Sequence, residues 1–538
     1  MNKIYKVVWS KAKHAYVVTS EVAKSHTKSA SGKAVKAALA AAVGMGVLMG
    51  GYTANAADTT TGSGSGVAYG TGSDAPKAEN VAIGKGAGIS YSGGVGMPST
   101  GDIVIGNKAK TNNYIDQGGG IAIGSNSFVE NMVGGLERSF DFNQAGYNSM
   151  FGVPYGLPKH PDKMVTGVAI GQNTYARSGS VMLGTHNYKG ALGDVTVDSA
   201  DVRSHNLLPF ATELGANSYS HGLFSSVTGA YSIISSNYGS NSSAASKNFG
   251  ATITGSLNSI ESATSSSNYS GVANSIVGTA NRTANSNGSL IFGAGNEITN
   301  SITSISAPSG NSTSAKDLAD TLRAAVKRSK SGGATLAIGG GNKADYTQKT
   351  SIIGVNNTVT GTSGSPSTYN SITGYNNTAT NINHVSVIGS ENNVTNTNGA
   401  VVFGDKRTLT GADGSVVIGS SQAGTSTSVK NAVAIGSEAN VTKEGGVALG
   451  AGSVASVDKG VAGYDPGTGT NSTDTSSVWK STQAAVSVGD TSKGITRQIT
   501  GVAAGTNDTD AAAEESKNIH RSGCFHRSKG RDEYYVGE

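Results

Sequence analysis

The residues best equipped for chemistry are thinly spread along this chain. A phosphate cradle would need G-x-x-x-x-G-K-[ST], which does not occur, and the stretch "GKGAGI" at Gly84 lacks both the third glycine and the following helix pattern of a dinucleotide site. Zinc would need clustered Cys and His, yet the nine histidines form no H-E-x-x-H and no Cys/His pair. No Gly-x-Ser-x-Gly elbow stands between a strand and a helix. Paired carboxylates of the kind that cleave polysaccharides remain the rival chemistry, although the strongest repeats are poor in Asp and Glu. The single cysteine, Cys524, excludes an intrachain disulfide framework. The residues therefore point to no catalytic group, no metal ligand and no cofactor.

Composition says what the chain can build instead. Glycine supplies 77 of 538 residues, about twice the usual ~7% share, and charged residues only 14% against a typical ~25%. Such a chain favours tight turns and small side chains over one thick core. The net charge of +5 is uneven, because residues 1–56 hold eight Lys and one Glu and leave the remainder at −2. A weakly acidic body lacks the basic stripe of a nucleic-acid binder, so no nucleic-acid partner is expected.

The glycines follow a rule. Three small or branched apolar residues precede Gly84, Gly106, Gly124, Gly171, Gly184, Gly339, Gly419, Gly436 and Gly450, and weaker copies end at Gly278, Gly293, Gly354, Gly374, Gly389 and Gly404. Steps of 13, 14 and 15 residues separate neighbours such as Gly171 and Gly184, Gly436 and Gly450, or Gly374 and Gly389. That period is shorter than the helical repeats and fits coiled β architectures. Each copy predicts a short strand, then a turn at a glycine that reaches angles a β-carbon forbids. With alternation, Val433 and Ile435 are expected to face inward and Ala434 outward, as are Ala82, Ala122, Ala169 and Ala448. Small apolar residues on an outer face favour a rotationally symmetric oligomer, the alternative being that alanine merely fits a crowded solenoid.

The first 56 residues read as an address. A Lys-rich segment, a short apolar run from Ala37 to Met49 and the Ala54-Asn55-Ala56 site predict export, with cleavage between Ala56 and Ala57. The opening "MNKIYKVVW", Met1 to Trp9, resembles the extended signal peptide region of large autotransporters and related adhesins of Gram-negative bacteria. The motif x-A-I-G-x-x-[AS] resembles the YadA-like head repeat of trimeric autotransporter adhesins. That resemblance implies an all-β fold, a left-handed parallel β-roll or short-period β-solenoid that trimerises, with loop and short helical insertions.

The expected organisation is an extended signal peptide over 1–56, a linker over 57–66, and head repeats with a loop insertion over 67–190. Degenerate repeats follow over 191–334, with a helix over 315–330, then head repeats over 335–456, a pre-neck insertion over 457–484 and a neck over 485–511. The aromatic insertion between Gly124 and Val168 reads either as a contact loop or as a lid on the roll. In the helix, Leu318, Leu322 and Val326 make an apolar face, Ser314 with Asp317 a capping-box-like start, and Lys327, Arg328 and Lys330 a basic end that either meets a polyanion or is simply solvated. The Ser/Asn/Thr-rich middle, about 222–300, reads as continuing rungs, with disorder as the alternative.

The segment Ala485–Ala511 resembles the family's neck through Ala485–Gly489, Arg497–Thr500, Val502–Gly505 and Thr509–Ala511. The resemblance makes Arg497 and Gln498 candidates for interchain contacts. Past Ala511 the pattern departs, and the atypical tail 512–538 is expected to reflect a frameshift or truncation. On that expectation the chain lacks stalk and anchor and does not itself insert in a membrane, so that it is either surface-bound through a longer form, periplasmic or released. The expected function is an adhesin head, with itself as partner in a homotrimer and with host matrix, host cells or neighbouring bacteria as ligand. A secreted autoaggregation protein and a carbohydrate-active solenoid are the alternatives.

Overall fold

A computed structural model describes residues 5–10, 15–20, 61–92, 101–114, 118–131, 166–187, 210–235, 247–262, 269–308, 315–329, 334–465, 467–503 and 506. Two units are separated near Thr59. In the first, Tyr5–Ser10 and Ala15–Ser20 form an antiparallel hairpin with Tyr5 opposite Ser20 and Ser10 opposite Ala15. The export signal, its apolar run and the Ala56/Ala57 cleavage site otherwise lie outside the described residues.

The second unit is an all-β parallel roll. One ladder runs linearly from Val67–Tyr69 to Val486–Ser487, each short strand pairing in parallel with the one in the next coil. A second ladder lies across from it in two stretches: four strands from Gly88–Ser92 to Tyr175–Arg177, and eleven from Tyr219–Ser220 to Ser426–Thr427. The register is strict, with Ala434 beside Val417 and Ala448, and Ile352 beside Ala337 and Ile372. Insertions leave it intact: Ala122 still pairs with Ala169 across 46 intervening residues, and Ile291 with Ala337 across 45. The Ser/Asn/Thr-rich middle is rungs, with Ile253, Ile276 and Ile291 in one buried column facing Ile260 and Ile298 of the other ladder.

The orientation of the repeat is the reverse of the sequence expectation. Ala82, Ala122, Ala169, Ala434 and Ala448 are fully buried, whereas the residues flanking them point outward. The cause is geometric. A coil of about fifteen residues encloses so thin an interior that each three-residue strand of the main ladder sends a single central side chain into it. The branched residues on either side of that centre are therefore on the opposite face of the pleat.

Glycine closes each coil. At Gly374, φ is +137°, and a β-carbon built there would stand 1.8 Å from the carbonyl oxygen of Gly389 in the next rung. The same collision recurs from Gly84 against Gly106 to Gly419 against Gly436, so the glycines form a column in which each backbone rests on the next. Gly374→Ala is expected to destabilise its rungs by about 3 kcal/mol or more. The control Gly411→Asn, at φ +64° with open space around it, should cost under ~1 kcal/mol. Urea midpoints and protease sensitivity of the two variants check this, and equal effects would refute the column.

Candidate binding surface

The nine turn glycines singled out in the sequence, Gly84, Gly106, Gly124, Gly171, Gly184, Gly339, Gly419, Gly436 and Gly450, all sit at positive φ between +103° and +148° in this column. Three members escaped the sequence pattern: Gly215, Gly229 and Gly255, whose β-carbons would meet the carbonyls of Gly229, Gly255 and Gly278. Their preceding strands carry Thr and Glu in place of the Val-Ala-Ile triplet, and the remaining signal was spacing alone.

Beside the glycines runs an asparagine ladder. Asn258, Asn281, Asn296, Asn342, Asn357, Asn377 and Asn392 each stand three residues after a turn glycine. In every step the side-chain oxygen of one accepts from the backbone and side-chain N–H groups of the next, as from Asn377 to Asn357 at 3.1 and 2.8 Å. The same amide donates to the carbonyl of the following glycine, Gly389 in that rung, at 2.7 Å. The spacing G-x-x-N was visible in the sequence, but only the stacking gives it meaning. At the last step Arg407 replaces asparagine; its backbone N–H donates to Asn392 and its buried guanidinium to the Ala439 carbonyl.

The flanks carry the insertions. Helix α1 (Ala315–Arg328) buries Leu318 and Ala325 against Leu223, Phe249, Val272 and Ile305 at the side of the roll, with Leu322 and Val326 partly covered. Phe210 stacks on Phe224, and Phe249 meets Phe224 at a tilt of 50°, each pair 5.3 Å between ring centroids. Lys327 and Arg328 are exposed at its carboxyl end, while Ser314 and Lys330 lie outside the described residues. So do the interior of the aromatic insertion, 132–165, and most of the segment 191–221. At the carboxyl end of the roll, Val486–Ser487 adds the last strand beside Val447–Ala448. Arg497 folds back over Gly450, donating to the carbonyl of Ala451 at 2.6 Å, the hydroxyl of Ser453 at 2.9 Å and the carbonyl of Val488. Gln498 is exposed. The tail beyond 506 lies outside the described residues.

Among the described residues no three His, Cys, Asp or Glu side chains gather to hold a metal ion, and no helix is long and apolar enough to cross a membrane. The two most buried carboxyls are solitary. Asp102 accepts from Tyr91, Asn113 and Gly120 at 2.9–3.0 Å, and burial still raises its pKa. Glu213 is more extreme: it occupies the inner column between Met182 and Val227 with neither oxygen partnered. Burial pushes its carboxyl well above the usual range, and the nearby backbone of Ser220, outside hydrogen-bond geometry, opposes this with the smaller effect.

What the roll does present is an outer apolar strip. Phe292, Ile353, Ile388, Phe403, Ile435 and Leu449 stand in one column of the main ladder and are 56, 39, 49, 53, 40 and 38% exposed. Nine rungs separate its ends inclusively, about 38 Å at ~4.8 Å per rung. An apolar strip of that length, interrupted at Thr373 between Ile353 and Ile388, marks an interaction face.

Comparison with known proteins addresses the other end of the chain. Residues 1–50 match the family model described as the extended signal peptide of the Type V secretion system. The chain carries a Type V export signal. It is also 63% identical over 65 residues to the autotransporter adhesin BadA of Bartonella henselae, a stretch that covers 12% of this chain and 2% of that protein. Both matches support an exported, cell-surface protein of a Gram-negative bacterium, the second through a short segment shared with a protein named an adhesin.

For such an exported roll Glu213 has a measurable effect. Because its folded pKa lies above the unfolded one, its stabilising protonated form is fully present below pH ~4.5 and is lost as pH rises through the raised folded value. Its rungs are therefore expected to be more stable at pH 5 than at pH 8. Glu213→Met, matching its neighbour Met182, should remove that difference and raise stability at pH 8 by about 1–3 kcal/mol. Hydrogen exchange of residues 181–228 at the two pH values reads it, and an unchanged pH response in the variant would refute the assignment.

Proposed function

We propose that this chain supplies the head and neck of a surface adhesin that acts as a homotrimer. The observation that carries the reading is the outer strip of Phe292, Ile353, Ile388, Phe403, Ile435 and Leu449. A surface protein that left this strip in water would aggregate, whereas a threefold axis along the roll would bury it in every rung at once. The covering surface is thus the branched outer column rather than the alanines, which fill the interior. In this reading Arg497 and Gln498 sit where the roll gives way to the neck, and Arg497 exchanges its present contacts for equivalent ones in a neighbouring chain.

Trimerisation then gives function its form. Three copies of every outer loop are held on one rigid rod, so that weak contacts to host matrix, host cells or neighbouring bacteria multiply. The family match and the relative named an adhesin support that role, although the chain spans a very small part of that relative's length.

Light scattering of the full chain is expected to give about three times the chain mass of 53.8 kDa. The double variant Ile388→Lys, Phe403→Lys should fall to one chain mass while keeping its β circular dichroism. Attachment to matrix-coated surfaces should fall at least tenfold with it. A monodisperse single-chain mass for the unaltered protein would overturn the trimer. Self-association of cells without attachment would replace adhesion by aggregation.

A further inference from the structure

One corner of the roll carries a feature that the outer apolar strip does not include. Where the second ladder turns back to the main one, Lys349, Tyr369, His384, Gly399, Gly414 and Asn431 occupy successive rungs, their N–H groups linking each rung to the one before. Tyr369 and His384 stack in parallel, 4.6 Å between ring centroids and 9° between planes. Lys349 closes one end of the stack, its ammonium 2.8 Å from the Tyr369 hydroxyl. On the other side of His384 the next rung has no side chain. A β-carbon at Gly399 would meet nothing within 4 Å.

The gap is bounded. At the following rung, Gly414, the Asn431 side-chain oxygen stands 2.7 Å from where a side chain would begin, so a carboxamide leans in from the far end. From His384 to Asn431 is three rung steps, about 14 Å at ~4.8 Å each. One residue earlier in the same rungs lies a hydrogen-bonding edge. Asn383 donates to Asn398 at 3.1 Å, and Asn398 donates through backbone and side chain to Asp413 at 2.8 and 3.1 Å. Asp413 is itself paired with Lys430 at 3.0 Å.

We infer that this notch is a binding subsite for a neutral pyranose sugar, which lays its apolar face on the outer face of His384 over Gly399 and turns its hydroxyls to Asn398, Asp413 and Asn431. A flat aromatic ring with an unoccupied face attracts the partially positive C–H groups of a pyranose through its quadrupole. The carboxamides and the carboxylate offer both donors and acceptors, as vicinal hydroxyls require. Lys430 is charge-paired with Asp413, and the polar edge of the notch itself carries that carboxylate, which favours a neutral sugar over a sulfated or sialylated one. The glycines at 399 and 414 interrupt a corner that carries side chains in the rungs before and after, and their absence is what makes the space.

A single subsite of this size binds weakly, in the millimolar range of a few hydrogen bonds and one stacking face. Its use rests on the adhesin reading, since repetition on an oligomer is what would turn it into attachment. The direct test does not depend on that reading. Saturation-transfer NMR on the full chain with chitotriose and with lactose as probes is expected to show transfer strongest at ring C–H protons for at least one of them. Gly399→Asn places a side chain in the notch at φ +65°, a conformation that Asn356 and Asn376 already adopt in this roll, so it blocks the space without disturbing the coil. It should abolish the transfer, and His384→Ala should weaken binding at least tenfold, with unchanged circular dichroism in both. No transfer to either sugar at 10 mM or so, or equal transfer in Gly399→Asn, would overturn the subsite. Attachment to matrix that persists in Gly399→Asn after sugar binding is lost would leave the adhesin reading standing and remove the sugar from it.

Discussion

The roll depends on backbone resting on backbone. In the turn column from Gly84 to Gly436, each glycine occupies a space that no side chain can share, with the next rung's carbonyl 1.5–2.8 Å from any added β-carbon, and all but Gly215 also sit at positive φ. That contact sets the coil's circumference, because the chain must return to the same point after about fifteen residues, or after an insertion that comes back to it. Everything else follows from this fixed return. Strands can be only two to six residues long, the interior admits one side chain from each three-residue strand of the main ladder, and the asparagines three residues past successive glycines from Gly255 to Gly389 lie within reach of the next carbonyl. Their ladder satisfies polar groups that would otherwise be buried without partners, which would cost more than the bonds themselves contribute.

The period and the fold class were legible in the sequence because glycine at a steric bottleneck is nearly irreplaceable. The Val-Ala-Ile-Gly spacing therefore marked the rungs even through "SIISSN" and "ATITGSL". The facing of the strands was not legible. Alternation fixes that Ala434 differs from Val433 and Ile435 but not which of them is inside, and the usual rule that larger apolar residues go inward failed. In a coil this thin a central alanine fills the interior, and the branched neighbours are left for another surface. Gly215, Gly229 and Gly255 were missed for a related reason: Glu213 and Thr252 disguise the strands before them, and the second of these is tolerated because only the central position is enclosed.

Glu213 shows the other limit of sequence reading. It occupies the one inward position of its strand, where Met182 and Val227 flank it, and no local pattern distinguishes an inward carboxyl from an outward one. The His384 notch was equally hidden. Its residues are separated by whole coils, and Gly399 and Gly414 look like ordinary turn glycines until stacking shows that they stand in a column otherwise occupied by side chains. By contrast the signal at Met1–Trp9 is a contiguous string and was readable as it stood.

The ladder hydrogen bonds all point along the axis of the roll, and this has a mechanical meaning. Tension applied along that axis pulls on them end-on, one rung at a time, rather than shearing a whole sheet in parallel. A rung that peels from the end releases about fifteen residues of chain, ~50 Å of contour, in place of its ~4.8 Å rise. A cell tethered through such a rod in flowing liquid would lose force stepwise as coils paid out, and the remaining coils, each complete in itself, would stay folded and ready to rewind when the load fell.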